Sequence, residues 1–298
     1  MTEGIILLDK PPGQTSFQSL GEIKRRLGTG RVGHAGTLDR FAEGLLVVLA
    51  GRMTRLCSFA TSLDKEYVAV FTFGRGTDTL DPEGTVTSSG PVPGLEVIED
   101  AIPSFLGTIL QVPPQYSAVH VAGRRAYQAA RAGETTVLAP RQVTIEKLDV
   151  IGMDGPDLTV RVSCSKGTYV RSLARDIAAR LGTCAFVSGL RRTRIGGFRL
   201  ADAVTAERFD PGRHVLPPAA FFDAAPGLGR LVVKDSSAGR LANGGPLGEG
   251  IFEEDPGGDG MYGAFSRSGG LLAVVERTRG TWRYAAVFPS EGRGADTR

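Results

Sequence analysis

An aspartate, a histidine and a threonine stand close together in the segment "GHAGTLDRFAEGLLVVLAG", residues 33–51 of the chain. The aspartate is Asp39, and an ionised carboxylate is a group that can act as a nucleophile or as a general base. Gly36 and Gly44 flank it, and residues without a side chain leave room for a substrate to approach the backbone. The segment alone also fits two simpler interpretations of Asp39, a turn-capping carboxylate and a surface charge.

Other catalytic signatures are missing from the sequence. It contains no GxxxxGK[ST] phosphate loop, no HExxH zinc motif and no G-x-S-x-G nucleophile elbow. The acidic residues Asp78, Asp81 and Glu83 do not have the spacing of a calcium-binding loop. The sequence therefore does not indicate nucleotide hydrolysis or zinc-dependent catalysis.

Histidine and cysteine are sparse. The chain has three of each, without a CxxC pair: His34, His120, His214, Cys57, Cys164 and Cys184. This pattern predicts no metal site, and it favours core-filling thiols in a reducing compartment.

The pattern of apolar residues predicts the elements that would position Asp39. A buried strand over 5–8 precedes a helix, for which Thr15 and Gln18 have the spacing of a capping box and Gly28 is the stop signal. The apolar stripe of this helix is Phe17, Leu20, Ile23 and Leu27. A continuous apolar strand over 45–50 follows Asp39, and after it we expect a helix from about residue 53 and a strand over 67–73.

The second half of the chain has the same mixed character. The segments "TVLAPRQVTIEKLDVIGM" and "DLTVRVSCSKGTYV" predict strands, and "RSLARDIAARLG" predicts a helix that ends at Gly182. Strands and helices do not alternate regularly, which favours an α+β fold with a mainly antiparallel central sheet and flanking helices. A Pro- and Gly-rich passage over 209–229 indicates a connector. We therefore expect a catalytic domain over 1–228 that includes the connector, and a small β-rich domain over 229–298.

Composition describes a globular protein with a slight excess of positive charge. The 298 residues are 41% hydrophobic and 22% charged, with a formal net charge of +3. Basic clusters over 24–31, 123–131 and 190–194 fit either a surface that follows an RNA backbone or three solvated faces. The apolar run at 5–8 lacks the basic flank and the length of a signal peptide, and no segment is long and apolar enough to span a membrane. We expect a cytoplasmic protein.

Several segments, in order and with fitting intervals, resemble the bacterial tRNA pseudouridine synthase B family. They are "LLDKPPGQTS", "GHAGTLDRFAEGLLVVLAGRMTRL", "DKEYVAVFTFGRGTDTLDPEG", "CSKGTYVRSLARDIAARLG" and "VSGLRRTRIGGF". The intermediate "PPQYSAVHVAGRRAYQAARAGE" is also similar, so the resemblance covers residues 5–200 or so. The long motif around Asp39, in combination with K-G-T-Y-x-R, makes the resemblance specific.

The resemblance implies a pseudouridine synthase fold and the isomerisation of uridine 55 in the T loop of tRNA to pseudouridine. This reaction breaks the bond between N1 and C1′, turns the uracil and rejoins it through C5, so it needs neither a metal nor an organic cofactor. The expected partner is tRNA, contacted through its T arm, with no obligate protein partner, no membrane and a monomer as the default state. Residues 229–298 resemble the small PUA-like RNA-binding domain of the family.

The same resemblance assigns roles to individual residues. It implies that Asp39 is the catalyst, that Arg171 pairs with it and that Tyr67 stacks against the target uracil. Asp81 corresponds to an acidic position that contacts RNA or organises its loop. The choice between a nucleophilic Asp39 and one that deprotonates the sugar stays open.

Five further residues have supporting roles by resemblance. Tyr169 and Leu190 correspond to residues that line the pocket, and His34 corresponds to one that helps to flip the target base out of its stack. Lys10 and Pro11 support the catalytic turn.

One departure and two alternatives stay open. Where the family often has Lys, this chain has His120, so no fixed positive charge is expected at that position. The alternatives are a related pseudouridine synthase that acts on another RNA and a noncatalytic RNA-binding or RNA-folding protein on the same scaffold. The joint presence of Asp39, Tyr67 and Arg171 favours an enzyme, because RNA binding alone does not need an ionised aspartate that faces an anionic strand.

Overall fold

The computed structural model describes residues 3–117, 120–121, 124–125, 127, 136–248 and 250–289, and it has the α+β architecture that the sequence predicts. The strands are β1 (Gly4–Lys10), β2 (Val32–Ala35), β3 (Glu43–Ala50), β4 (Lys65–Phe73), β5 (Arg75–Thr77), β6 (Val86–Ser89), β7 (Gly107–Gln111), β8 (His120–Val121), β9 (Arg124–Arg125), β10 (Arg141–Asp154), β11 (Asp157–Cys164), β12 (Ala185–Ile195), β13 (Phe198–Arg199), β14 (Leu228–Val232), β15 (Gly260–Phe265), β16 (Leu271–Thr278) and β17 (Thr281–Val287). The α-helices are α1 (Leu20–Leu27), α2 (Cys57–Ser62), α3 (Leu95–Ala101), α4 (Val170–Arg180), α5 (Pro211–His214), α6 (Ala219–Ala224) and α7 (Asp235–Ala242). Short 3₁₀ helices lie at Gly51–Leu56, Ile102–Phe105, Leu200–Asp202 and Ala206–Arg208.

The described residues include a nine-stranded sheet that forms the centre of the molecule. Its main path runs β1, β3, β12, β4, β11, β10, β7, with β2 paired to β3 and β13 paired to β12. The pairings in this sheet are antiparallel except for β3 with β12, which run parallel where Arg191 and Arg192 face Glu43 and Gly44. The predicted predominance of antiparallel pairing is confirmed.

Strand β4 shows how the sequence pattern defines the two faces of this sheet. Its residues alternate between buried and half-buried, so Lys65, Tyr67 and Phe71 share one face. Helix α4 covers that face with Leu173 and Ile177, which belong to the same hydrophobic core as Tyr67. The side chains of the covered face therefore meet the first turn of α4, and this is where the candidate site lies.

The first predicted helix begins later than its capping signal suggests. The capping-box bonds form, because the Thr15 amide donates to Gln18 Oε1 at 2.9 Å and the Gln18 amide donates to Thr15 Oγ1 at 3.2 Å. These residues close a turn that precedes α1, however, so Phe17 lies outside the helix and is 70% exposed. The prediction that Phe17 joins the apolar stripe is wrong, whereas Leu20, Ile23 and Leu27 are buried as expected. Gly28 ends the helix in the left-handed conformation, as predicted.

The predicted helix after β3 starts as a 3₁₀ helix over Gly51–Leu56 and continues as α2. Arg52 in this segment also ties the two parts of the chain together, since its Nη1 donates to the Phe288 carbonyl at 3.1 Å. No helix within the described ranges is long and apolar enough to cross a membrane.

The Pro- and Gly-rich passage packs against the large sheet and is not an extended linker. It contains α5 and α6, and Ile5 of β1 forms a bridge with Leu216. Phe221 and Phe222 then join a hydrophobic cluster that contains both Leu45 of β3 and Phe265 of β15. The two units therefore share a hydrophobic core at their boundary.

The C-terminal unit is β-rich, as expected. Its four strands are ordered β14, β15, β16, β17, with β14 parallel to β15 and the other pairs antiparallel. Trp282, the single tryptophan of the chain, packs against Phe252 at 4.9 Å between ring centroids. Trp282 thus helps to fill the small core of this unit.

Candidate active site

A cleft of about 520 Å³ opens on the covered face of the sheet. It is lined by Asp39, Tyr67, Asp81, Tyr169 and Arg171, so five residues singled out in the sequence meet in one place although they are far apart in the chain. The volume is in the range of pockets that hold small molecules.

The centre of the cleft is a buried arginine that binds two carboxylates. Arg171, in the first turn of α4, is only 3% exposed. Its Nε lies 2.8 Å from Asp39 Oδ2 and its Nη1 lies 3.0 Å from Asp81 Oδ2. The main-chain carbonyl groups of Thr79 and Tyr116 accept its remaining hydrogen bonds at 2.8 and 3.0 Å. A guanidinium held at four points fixes the direction of the Asp39 carboxylate.

The Asp39 side chain is accessible from the cleft, and the pKa of its carboxyl is shifted. Its side chain keeps 38% of its surface exposed at the cleft. Burial raises the pKa of the Asp39 carboxyl above its ordinary value, Arg171 acts in the opposite direction, and Asp81 and Glu83 add to the increase. The ionised carboxylate is therefore a stronger base and nucleophile than an ordinary aspartate.

Asp81 is directed toward protein groups. It is 5% exposed, and its Oδ1 accepts bonds from Thr79 Oγ1 at 2.5 Å and from the Glu83 amide at 3.1 Å. Leu80, next to it, has φ of 61°, a conformation that is uncommon for a branched residue, and its carbonyl accepts a bond from the Val187 amide at 3.1 Å. The described contacts of Asp81 are thus with its own loop and with Arg171.

Two polar side chains, Ser16 and Lys10, hold the backbone of the turn that carries Asp39. Ser16 Oγ accepts a bond from the Leu38 amide at 2.9 Å and donates to the Leu38 carbonyl at 3.1 Å. Lys10 is completely buried, and its Nζ donates to the Ala42 carbonyl at 2.6 Å and the Pro11 carbonyl at 2.8 Å. Lys10 thus connects the Pro11 carbonyl to the backbone that follows Asp39.

Tyr67 lies at the base of the cleft. It is 8% exposed, and burial raises the pKa of its phenol while the nearby Arg192 guanidinium opposes that shift. Tyr169 is half-buried and precedes α4, and its amide donates to Gln111 Oε1 at 2.8 Å. Burial raises the pKa of the Tyr169 phenol as well.

Two residues that the sequence singled out, Leu190 and His34, do not line this cleft among the residues described. Leu190 is 8% exposed and belongs to the hydrophobic core that contains Tyr67. His34 is half-buried in β2, its Nδ1 has no hydrogen-bond partner in the described structure, and burial lowers the pKa of its imidazole. His120 lies in β8, and its side chain falls outside what the structure describes.

Among the cleft residues that reasoning from the sequence missed are two buried cations, Lys65 and Arg192. The alternation of β4 could have indicated Lys65, because it is two residues from Tyr67 on the same face. The sequence placed Arg192 in the basic cluster "LRRTR", interpreted either as a surface that follows an RNA backbone or as a solvated face, yet it is 1% exposed. Its Nε donates to the Leu45 carbonyl at 2.8 Å and its Nη2 donates to the Gly36 carbonyl at 2.9 Å.

The sequence interpretation of Gly44 is wrong. A Cβ atom at this position would lie 2.4 Å from the main-chain oxygen of Arg192, so the space beside Gly44 is used by β12 and not by a substrate. Gly44 has φ of 99°, which also favours glycine. Its role is to let the two parallel strands approach each other.

The described residues contain no cluster of three His, Cys, Asp or Glu side chains that could hold a metal ion. The groups that line the cleft include the accessible Asp39 carboxylate, the Arg171 guanidinium that orients it, several tyrosine rings and the buried cations Lys65 and Arg192. An oriented carboxylate beside aromatic rings can act as a nucleophile or as a general base on a bound ring.

Two family models match the chain. Residues 24–170 match the TruB family pseudouridylate synthase N-terminal domain, and residues 171–212 match the tRNA pseudouridylate synthase B C-terminal domain. Among curated relatives, the tRNA pseudouridine synthase B of Borreliella burgdorferi is 48% identical over 210 residues, which are 70% of this chain and 74% of the relative. The tRNA pseudouridine synthase B of Thermobifida fusca is 38% identical over 298 residues, which cover 97% of this chain and 99% of the relative.

Solved structures with a similar fold include a Cbf5-Nop10-Gar1 complex, with 25% identity and a TM-score of 0.72 over 97% of this chain and 84% of that chain. The archaeal box H/ACA sRNP Nop10-Cbf5 complex gives the same identity and TM-score over 97% of this chain and 88% of that chain. The similarity thus extends over both the large sheet and the C-terminal unit.

Proposed function

Because this chain belongs to the tRNA pseudouridine synthase B family, we propose that it isomerises uridine 55 in the T loop of tRNA to pseudouridine, with Asp39 as the catalyst. The observation that carries the proposal is the 2.8 Å contact between Asp39 Oδ2 and Arg171 Nε in a cleft that Tyr67 also lines. RNA binding alone would not need this arrangement, since a carboxylate that faces the cleft repels an anionic strand.

The reaction begins with a uridine that has left its stack and entered the cleft. Tyr67 presents an aromatic ring on which the uracil stacks, and such a contact leaves the base free to turn. Asp39 then acts on the ribose, and the bond between N1 and C1′ breaks. The uracil turns, C5 bonds to C1′, and the hydrogen on C5 is replaced by one on N1, so the atoms balance without an added reagent.

Supporting residues have distinct tasks in this scheme. Arg171 directs the Asp39 carboxylate, and Asp81 holds Arg171 and the loop over 78–83. Tyr169 forms part of the cleft wall, while Leu190 supports Tyr67 from the core. His34 assists the exit of the target base from its stack.

A direct assay tests the proposal. Purified protein is incubated with an unmodified tRNA transcript, and pseudouridine is mapped by carbodiimide treatment and primer extension. We expect a new stop in the T loop with the wild type and none with Asp39→Asn. Asp149→Asn is the matched control, because Asp149 is on β10, pairs with Lys147 and does not line the cleft; it should retain activity.

The outcomes separate the alternatives. Binding of the transcript without product from any variant would indicate a noncatalytic RNA-binding or RNA-folding protein. Product in a ribosomal RNA fragment but not in tRNA would indicate a related synthase with another substrate. Asp39→Asn should still bind tRNA, and a loss of binding as large as the loss of turnover would contradict the assigned role.

We also propose that the protein acts on tRNA as a monomer in the cytoplasm, without an obligate protein partner. The support is the cleft, which one chain forms from its own residues, and the three free thiols of Cys57, Cys164 and Cys184. Light scattering of the purified complex with tRNA should give the mass of one chain and one RNA. Activity that appears only at concentrations where a dimer forms would contradict this.

A further inference from the structure

The cleft contains two buried cations that no acidic side chain neutralises in the described residues. Lys65 is 6% exposed and Arg192 is 1% exposed, and neither forms an ion pair with a carboxylate. Lys65 Nζ donates to the Thr61 carbonyl at 2.6 Å and also to the Leu63 carbonyl. A neutral carbonyl satisfies a donor but does not cancel its charge, so this part of the cleft carries a positive charge that the protein leaves uncompensated.

The side chains of Lys65 and Arg192 both approach Gly36 in the cleft. A Cβ atom at Gly36 would lie 3.4 Å from Arg192 Nη1 and 4.0 Å from Lys65 Cε. Arg192 is also the residue directly opposite Tyr67 in the pairing of β12 with β4, and Lys65 is on the same face of β4 as Tyr67. The positive charge therefore lies next to the ring on which the base is proposed to stack.

Hydrogen-bonding capacity remains at both groups. The Lys65 ammonium has three donors and uses two on carbonyl groups. The Arg192 guanidinium has five donors; its Nε and Nη2 bond the carbonyls of Leu45 and Gly36, and it also donates to the Tyr67 phenol, so it has donors left for a further acceptor. Burying two unpaired cations costs stability, and such a cost is expected where a site is built for an anion.

We infer that Lys65 and Arg192 form a cation pair that stabilises the uracil anion during the interval when the base is detached from the ribose. When the bond between N1 and C1′ breaks, its electron pair leaves with the base, and the negative charge spreads over N1, O2 and O4. In either route, with Asp39 as nucleophile or as base, the uracil departs in this form. The anion disappears when C5 bonds to C1′ and the proton of C5 is replaced by one on N1.

This inference rests on the proposed function and adds two catalytic residues to it. The groups that face Lys65 are Arg192, Lys166, Asp64 and Cys164, and burial lowers the pKa of Lys65 to about 8. The lysine is thus protonated at neutral pH, and its charge is available to the departing base.

The test compares two leaving bases in the same enzyme. Single-turnover loss of the N-linked nucleoside is measured with tRNA that carries uridine or 5-fluorouridine at the target position. Fluorine withdraws electron density, so the detached 5-fluorouracil anion needs less stabilisation from the protein. We expect Lys65→Met and Arg192→Met to slow uridine conversion by about 10²- to 10³-fold each, and to slow 5-fluorouridine conversion by a clearly smaller factor.

Two further variants serve as controls for this comparison of uridine and 5-fluorouridine. Lys65→Arg retains the charge and should restore most of the rate. Arg191→Met is the matched control for Arg192, because Arg191 is adjacent but pairs with Glu43 at 2.8 Å and Asp9 at 3.2 Å outside the cleft; it should show equal factors for the two substrates. Partial unfolding of a variant lowers both rates alike, so the ratio of the two factors does not depend on the folded fraction.

Two failures are distinguishable. Equal factors for uridine and 5-fluorouridine in Lys65→Met and Arg192→Met would overturn the cation pair and leave the proposed function intact. A wild type that converts no uridine in tRNA would overturn the proposed function itself.

Discussion

Buried cations lie on two sides of the cleft, and their partners differ. On the wall formed by α4 and the loop over 78–83, Arg171 contacts two carboxylates, Asp39 and Asp81. On the floor, where β3, β4 and β12 meet, Lys65 and Arg192 contact main-chain carbonyl groups. Lys10, below the catalytic turn, has carbonyl partners as well.

The comparison separates two uses of a buried positive charge. Opposite charges in the wall compensate each other, and their hydrogen bonds fix the position of the Asp39 carboxylate. Carbonyl partners on the floor hold the backbone in place and leave the positive charge available to a substrate. In the proposed mechanism, one region therefore orients the Asp39 carboxylate, and the other provides a positive electrostatic environment for the departing base.

Arg171→Met is expected to have the largest effect, because it leaves two carboxylates in the wall without their counterion. The free energy of unfolding should fall by about 3–5 kcal/mol, as for other buried ion pairs that lose one partner. Turnover of tRNA should fall by about 10³-fold or more, since the carboxylate loses its orientation. Urea denaturation and single-turnover kinetics measure the two effects, and Arg175→Met, on the same helix but without contact to Asp39, is the control.

Asp81→Asn should have a smaller effect that appears in the pH profile. Asp81 contributes to the raised pKa of Asp39, so removing its charge should lower the pKa of Asp39. Turnover that needs ionised Asp39 falls as pH decreases through that pKa, and the acid limb of the variant should therefore move to lower pH. Turnover at pH 7 should decrease by about tenfold, on the order of one charge-assisted hydrogen bond. An unchanged acid limb would argue against the coupling.

Lys10→Met tests a buried cation that bonds main-chain carbonyl groups, and the measured quantity is the free energy of unfolding. Burial lowers the pKa of Lys10 to about 8 from an ordinary value of 10.5, so between these values the native state binds fewer protons than the unfolded state. The contribution of Lys10 to the free energy of unfolding must then rise with pH over this window. We expect the variant to be less stable than the wild type by about 1–3 kcal/mol at neutral pH, and the difference should grow from pH 8 to 10.5. A difference that shrinks with pH would contradict the lowered pKa.

Phe17→Ser should have the smallest effect of these substitutions. It tests a contact between a cation and an aromatic ring that lies outside the cleft. The ring is 70% exposed, and Lys24 Nζ lies 4.5 Å from its centroid. The free energy of unfolding should change by less than about 0.5 kcal/mol. Leu20→Ala, three residues away and 1% exposed, should cost about 2–5 kcal/mol in the same denaturation experiment.

The periodicity of apolar residues in the sequence was sufficient to predict most of the strands and helices near the site. The apolar run over 45–50 lies within β3, and the alternation over 67–73 lies within β4, with Tyr67 on the covered face. The first helix was displaced because the capping box of Thr15 and Gln18 closes a separate turn before α1 begins. A capping motif specifies local hydrogen bonds, and these bonds form equally well in a single turn.

The alternation of residues along the strands was not sufficient to predict which side chains form the floor of the cleft. Lys65 follows the pattern of β4, but β12 has register shifts between Val187 and Gly189 and between Arg192 and Arg194. A bulge moves the following side chains to the other face, so the sequence "LRRTR" does not tell which arginine is buried. The pairing of β12 with both β3 and β4 decides that Arg192 enters the core and Arg191 remains outside.

The sequence by itself determined which chemical groups the protein possesses, the strands and helices that carry them and the family to which their motifs belong. These properties depend on residue types at short spacing, and local propensity and periodicity are enough to predict them. Only the tertiary structure decided the full set of partners. The pairing of Arg171 with Asp39 was expected by resemblance, but its contact with Asp81, ninety positions away, was not. The carbonyl partners of Lys65 and Arg192 were not expected either. Charge compensation and burial depend on contacts between distant segments, and those contacts exist only once the sheet has formed.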